Sequence, residues 1–330
     1  MTVSYTLRLL CVLIIVGGIT FASSQMILTL AARRILIHLD ALTARSRERI
    51  LYSLQITPAL MTLFIAGAIC LPAYLYGETN LESEHVSGVC LSIAACMAIW
   101  FGTALLRGFR VTVRTLLFAR ACSRSGQLLR HIAGIPVFII PDPGPPLRLI
   151  GFLRPLILVS PSLTGGTPAL APGAFDLALS HERSHAAHRD NWKLLTLSLL
   201  PRVDRFLPGG SQLSRAWQHA ADWAADDDAV QGDPARSLLL AETLVTAARA
   251  ANATSAGATP YICTALTSVD GALALRIGRL IRPRSAERPT KRFFPLFVLV
   301  AITVFAAAAA CAWSPWIYAL SERLLHLGTV

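Results

Sequence analysis

The stretch from Ala174 to Leu200, AFDLALSHERSHAAHRDNWKLLTLSLL, lacks Gly and Pro and repeats apolar residues at helical spacing, which predicts one long helix. Within it His181, Glu182 and His185 spell HExxH. Residues four apart share a helical face, so both imidazoles can reach one zinc ion, and Glu182 beside the first of them can take a proton from water held there. Zinc lowers the pKa of bound water towards about 7, which lets a hydroxide attack a peptide carbonyl that the metal also polarises. The pattern therefore points to metal-assisted peptide hydrolysis, with Glu182 as the catalytic base. Such a site needs a third ligand.

Downstream, Pro201 and Pro208-Gly209-Gly210 interrupt the helical pattern, and further helices are predicted from Ser211 to Val230 and from Pro234 to about Ala251. On the first of these Asp222 and Asp226 share a face. Asp222 would complete a tetrahedral set of two histidines and one carboxylate, with water in the fourth position, while Asp226 would orient a ligating histidine. Asp226 and His219, one turn away on either side, are rivals for the ligand position. Arg215 and His219 are the candidates for stabilising an oxyanion. Small residues from Asn252 to Thr259, followed by Pro260, predict a mobile connection.

Upstream, Val137 to Ile140, Leu147 to Phe152 and Leu156 to Val159 are short β-prone runs separated by Pro141-Asp142-Pro143-Gly144-Pro145-Pro146 and Arg154-Pro155. They predict a small antiparallel sheet. Residues 107–292 thus read as an α+β unit, the one segment large enough to bury a core.

The rest of the chain is apolar. Of 330 residues 54% are hydrophobic and 15% charged, and the mean hydropathy is +0.55, outside the balance of a soluble domain. Four runs are long enough to cross a bilayer: about 9–32, 54–76, 88–106 and 293–313. The first is too long for a signal peptide and is followed by a basic loop and a second span. Arg33, Arg34, Arg45, Arg47 and Arg49 follow it, whereas 77–85 holds Glu78, Glu82 and Glu84 without Lys or Arg. Arg107, Arg110, Arg114 and Arg120 follow the third run, and seven cations from Arg276 to Arg292 precede the fourth. Positive loops stay in the cytoplasm, so 107–292 is expected inside and the 314–330 tail outside. The +11 formal charge is then accounted for by topology and by anionic membrane lipid, and no nucleic-acid partner is expected. Seven cysteines without a CxxC spacing predict small buried hydrophobes in place of a metal or disulfide framework.

Three spans before a protease-like segment and one after it, Gly151-Phe152-Leu153-Arg154-Pro155-Leu156-Ile157-Leu158-Val159, the run Ser180-His181-Glu182-Arg183-Ser184-His185-Ala186-Ala187-His188-Arg189-Asp190-Asn191 and the later Asp222 to Asp226 segment together resemble one family. It is the BlaR/MecR-type membrane metallopeptidases, the zinc-protease part of bacterial β-lactam-sensing signal transducers, and the resemblance covers most of the chain. It implies an α-helical protein of the bacterial-type inner membrane with four transmembrane helices and an inserted cytoplasmic α+β zincin-like metallopeptidase domain. By it His181, His185 and Asp222 hold zinc, Glu182 is the general base, and the substrate is a protein, either a transcriptional repressor or the chain itself. The family usually has Glu where Asp222 stands, one methylene longer, so the helix here must approach closer. The β-lactam-binding domain that follows the fourth span in the namesake receptors is expected to be missing, which leaves the stimulus to a separate sensor protein. Two alternatives are a housekeeping protease resembling the HtpX and CAAX-prenyl protease group, and a non-catalytic membrane adaptor that keeps the fold.

Overall fold

The apolar runs fold as long helices in the computed structural model, which describes residues 2–3, 5–77, 84–141, 144–164, 171–202, 211–253, 261–266 and 272–282, with 319 and 323. Helix α1 is Tyr5–Leu39; α2, Ala44–Phe64, passes through a π-helical stretch at Ile65–Cys70 into α3, Leu71–Gly77; and α4 is Gly88–Ser125. Three helical stretches, Tyr5–Leu39, Ala44–Leu75 and Gly88–Ser125, are long and apolar enough to cross a membrane. Ile27, Leu30, Leu63 and Ile99 lie on their exposed surfaces, an arrangement that suits lipid and is costly in water. The three expected runs 9–32, 54–76 and 88–106 fall within these helices. The fourth, 293–313, the 314–330 tail and most of the connection at 252–260 lie outside the described residues.

Strand β1, Thr2–Val3, pairs antiparallel with β2, Glu84–His85, which brings the start of α1 beside the start of α4. Ser87 caps α4 through its side chain, accepting from the Cys90 amide at 3.1 Å. The helix then continues past Leu106 through Arg107, Arg110, Arg114 and Arg120, so no break separates the apolar run from the segment that follows.

That segment begins with a five-stranded sheet: β3 (Gln127–Ile132), β4 (Ile135–Ile139), β5 (Leu147–Ile150), β6 (Leu156–Val159) and β7 (Cys263–Ala265), in the order β3-β4-β6-β5-β7. The antiparallel expectation is corrected at one place. β5 and β6 form a hairpin with Leu147 opposite Val159, and β6 inserts beside β4 in parallel, Val137 opposite Ile157. With β5 on the far side of β6, the chain reaches β6 running in the same direction as β4, and the sheet is mixed. Every residue of β5 and β6 is buried, which is why β6 reads as a continuous apolar run and β5 as one interrupted only by Arg148.

Six helices complete the described chain: α5 (Pro161–Thr164), α6 (Ala174–Ala187), α7 (Asp190–Leu199), α8 (Gln212–Val230), α9 (Pro234–Ala253) and α10 (Ala272–Ile281). Leu149 and Ile157 from the sheet, Leu177 and Leu179 from α6, Val230 from α8 and Leu240 and Leu244 from α9 meet in the main core. On its other side α8 packs against the apolar helices, where Leu213, Trp217 and Ala220 join Ala32 and Leu51. Helix α8 is thus the layer between the membrane-type helices and α6.

The single helix expected over 174–200 is two helices. The chain turns at Arg189, whose φ of 55° is left-handed, and restarts at Asp190. The physical reason lies in side chains. Asp190 accepts from His185 Nδ1 at 2.8 Å and from Lys193 Nζ at 2.7 Å, and the turn is what swings its carboxylate back beneath the histidine. Asn191 fixes the new direction by donating to the backbone oxygens of Leu149 and Gly151. Helix α7 then crosses α4 closely: a Cβ at Gly108 would lie 3.1 Å from Leu199 Cα and would also displace the Leu199 side chain, so glycine suits this approach.

Candidate metal centre

Helical periodicity places His181 and His185 one turn apart on the buried face of α6, both with no exposed surface. Their Nε2 atoms are 3.2 Å from each other. Asp222 on α8 puts Oδ1 3.6 Å from His185 Nε2, and one ligand atom from each of the three residues lies within 4.8 Å of the others. Tetrahedral zinc with bonds of about 2.0–2.1 Å separates its ligands by roughly 3.3 Å, so the widest pair of the set needs a closure of at most about 1.5 Å. Around Asp222 helix α8 is slim, with Ala221, Ala224 and Ala225 all buried, and alanine lets helix backbones approach.

Each histidine has a carboxylate behind it. His181 Nδ1 lies 2.9 Å from Asp226 Oδ1, and His185 Nδ1 lies 2.8 Å from Asp190 Oδ2. With a proton held at each Nδ1, both Nε2 atoms point at one another across 3.2 Å, a geometry in which one cation can take both.

The acids of the site say the same. Burial pushes the Glu182 carboxyl up to about 8. Neither of its oxygens has a hydrogen-bond partner; the Leu149 backbone amide approaches and opposes the rise only slightly. Burial also raises the Asp222 carboxyl, which the Arg276 charge only partly offsets. Two buried carboxyls raised in the same place, chiefly by burial, mark a site in which added positive charge is favoured. Burial lowers the His181 imidazole to about 4 against the pull of Asp226. For His185 burial acts downward too, but Asp190, Glu182 and Asp222 together outweigh it and the imidazole rises. Asp190 would be raised by burial, yet His185 and Lys193 hold it at about 2.

The sequence rivals for the third ligand are separated by rotation along α8. Asp226, one turn on, faces His181 Nδ1 and accepts two hydrogen bonds from the Arg276 guanidinium, Nε at 2.9 Å and Nη2 at 2.6 Å. His219 is half-buried with its ring tilted against Trp223 and does not join the His181–His185–Asp222 group. Arg215 is exposed. The buried cation of the site is instead Arg276 on α10, which also donates to the Leu266 carbonyl at 2.6 Å and places Nη1 4.0 Å from Asp222. In the sequence Arg276 is one of seven cations before the fourth apolar run, and its spacing carries no sign that it folds back under α8.

Asp190→Asn keeps the size of the side chain and removes the charge that steadies His185. It is expected to weaken divalent-metal affinity about 10- to 100-fold, as read by competition with a chromophoric chelator; unchanged affinity would remove Asp190 from the account.

In comparison with known proteins, the sequence matches no protein-family profile and no curated protein. The site is therefore argued from its own residues: a buried His181–His185–Asp222 group able to bind a metal ion, in a mostly helical, membrane-associated chain.

Proposed function

We propose that this chain is a zinc-dependent endopeptidase of the BlaR/MecR type, held in a bacterial-type inner membrane by four transmembrane helices, with residues 107–292 as a zincin-like domain on the cytoplasmic side. The reading is carried by one observation: Glu182, fully buried and with no hydrogen bond to either side-chain oxygen, interacts electrostatically with His185 and Asp222, two members of the group that His181 completes. A buried acid left unsatisfied is expensive to the fold and is the form a general base takes before its water arrives.

His181 and His185 would hold the ion through Nε2 and Asp222 through a carboxylate oxygen, with Asp226 and Asp190 fixing the tautomers. Zinc, when bound, supplies a Lewis acid that lowers the pKa of water and polarises a carbonyl. Glu182 takes the proton of the attacking water on a carboxylate oxygen and delivers it to the nitrogen of the departing amine. Its carboxyl already sits near neutrality through burial, which suits a group that must both accept and give a proton. The Arg276 guanidinium holds Asp226, and with it the orientation of His181.

The substrate is a protein, a transcriptional repressor or the chain itself, and a separate sensor protein supplies the stimulus. Comparative proteomics of cells expressing wild type or Glu182→Gln tests the proposal. A fragment that appears only with the intact base names the substrate; identical fragment sets in the two strains would favour a non-catalytic adaptor.

A further inference from the structure

Glu48 is a charged residue with no exposed surface, on α2, in the first turns of an apolar helix. A buried carboxylate there is costly unless it is paired. Its Oε1 accepts from Lys193 Nζ at 2.8 Å and from Trp217 Nε1 at 3.1 Å. Lys193 also donates to Asp190 Oδ1 at 2.7 Å, and Asp190 Oδ2 lies 2.8 Å from His185 Nδ1. Four side chains on α2, α7 and α6 thus make one continuous chain of charge-assisted contacts that ends on a donor of the metal centre. A second strut runs beside it. Arg45, one turn before Glu48, donates to Asp228 at 2.7 Å and to Ser184 at 3.3 Å, and Ser184 donates to Asp228 at 2.6 Å. Ser184 is the neighbour of His185, so α2 touches α6 directly beside that histidine and reaches its ring through α7.

We propose that Glu48 is a positioning residue of the metal centre: through Lys193 and Asp190 it sets the orientation of His185, and so ties metal affinity to the placement of the apolar helix α2. A carboxylate fixed on one side only can rotate; Asp190 is fixed by Lys193, and Lys193, a flexible ammonium, is fixed by Glu48. Displacing α2 relative to α7 breaks the link at Lys193 without touching any donor atom of the site. This inference rests on the reading of His181, His185 and Asp222 as a metal site, and it needs no assumption about proteolysis.

The test uses the full chain in detergent with Co2+ as the probe, following both affinity and the visible ligand-field absorption, which reports ligand geometry. Glu48→Leu and Lys193→Met are each expected to weaken Co2+ binding about 3- to 10-fold, below the roughly 10- to 100-fold typical of direct partners of a ligand, and to shift the absorption bands. Glu48→Gln, which keeps an acceptor oxygen for Lys193, should recover part of both. Trp217→Phe removes the other hydrogen bond to Glu48 and should lower the melting temperature without moving the Co2+ spectrum. Wild-type affinity and spectrum in folded Glu48→Leu or Lys193→Met would overturn the proposal, as would an equal spectral change in Trp217→Phe, which would mark a merely structural effect. A wild-type chain that binds no Co2+ would overturn the metal-site reading itself.

Discussion

Glu182→Gln is expected to lower peptide cleavage by about 100- to 10,000-fold, the range a positioned general base contributes, while the metal-free protein becomes more stable. The two effects have one cause. In the metal-free chain the Glu182 carboxyl is raised by burial to about 8 from an ordinary value near 4.5, so the folded state binds a proton that the unfolded chain has lost throughout the interval between. Stability from this group falls as pH rises from about 4.5 to 8, and the loss is then complete. Glutamine removes the ionisation, and near pH 8 the variant should be more stable by on the order of a few kcal/mol, several degrees in melting temperature. At pH 4 the two proteins should melt together. Loss of cleavage with no pH-dependent gain in stability would mean that Glu182 is not held in the buried, unsatisfied state described.

The second large effect is expected at Arg276. Its guanidinium holds Asp226 with two hydrogen bonds and neither side chain is more than 1% exposed. The pair holds the Asp226 carboxyl far below the usual range, against burial, and the Arg276 charge contributes most to that. Arg276→Met therefore leaves an uncompensated buried charge, at a cost of about 3–5 kcal/mol. Removing both partners is a different matter. Arg276→Met with Asp226→Asn should recover most of the loss in a double-mutant cycle, although metal affinity should stay low because His181 has lost its carboxylate. Melting temperatures of the four proteins decide it; additive losses would show that the two groups act independently.

Much of this architecture was legible in the sequence because it is local. Apolar runs gave three of the helices, and four-residue spacing put His181 beside His185. The Asp222 and Asp226 spacing left both open as ligands, and only the rotation of α8 against α6 groups Asp222 with His181 and His185 and sets Asp226 against His181 Nδ1. What stayed hidden depends on contacts between distant segments. Arg276 lies 95 residues from His181, among cations that topology alone explains. The turn at Arg189 has no Gly or Pro to announce it; it exists because His185 and Lys193 draw Asp190 inward. Strand β3, with exposed leucines, and β7, three residues long, have no apolar alternation to reveal them. The parallel contact between β4 and β6 follows from where a hairpin inserts, which no local pattern encodes.

One divalent ion held jointly by α6 and α8 is the claim on which the rest stands, and elemental analysis of purified protein measures it most directly. After incubation with excess zinc and desalting, wild type and Glu182→Gln should each retain about one zinc per chain, and His185→Ala should retain almost none. Equal retention by wild type and His185→Ala, or no zinc in the wild type, would contradict it.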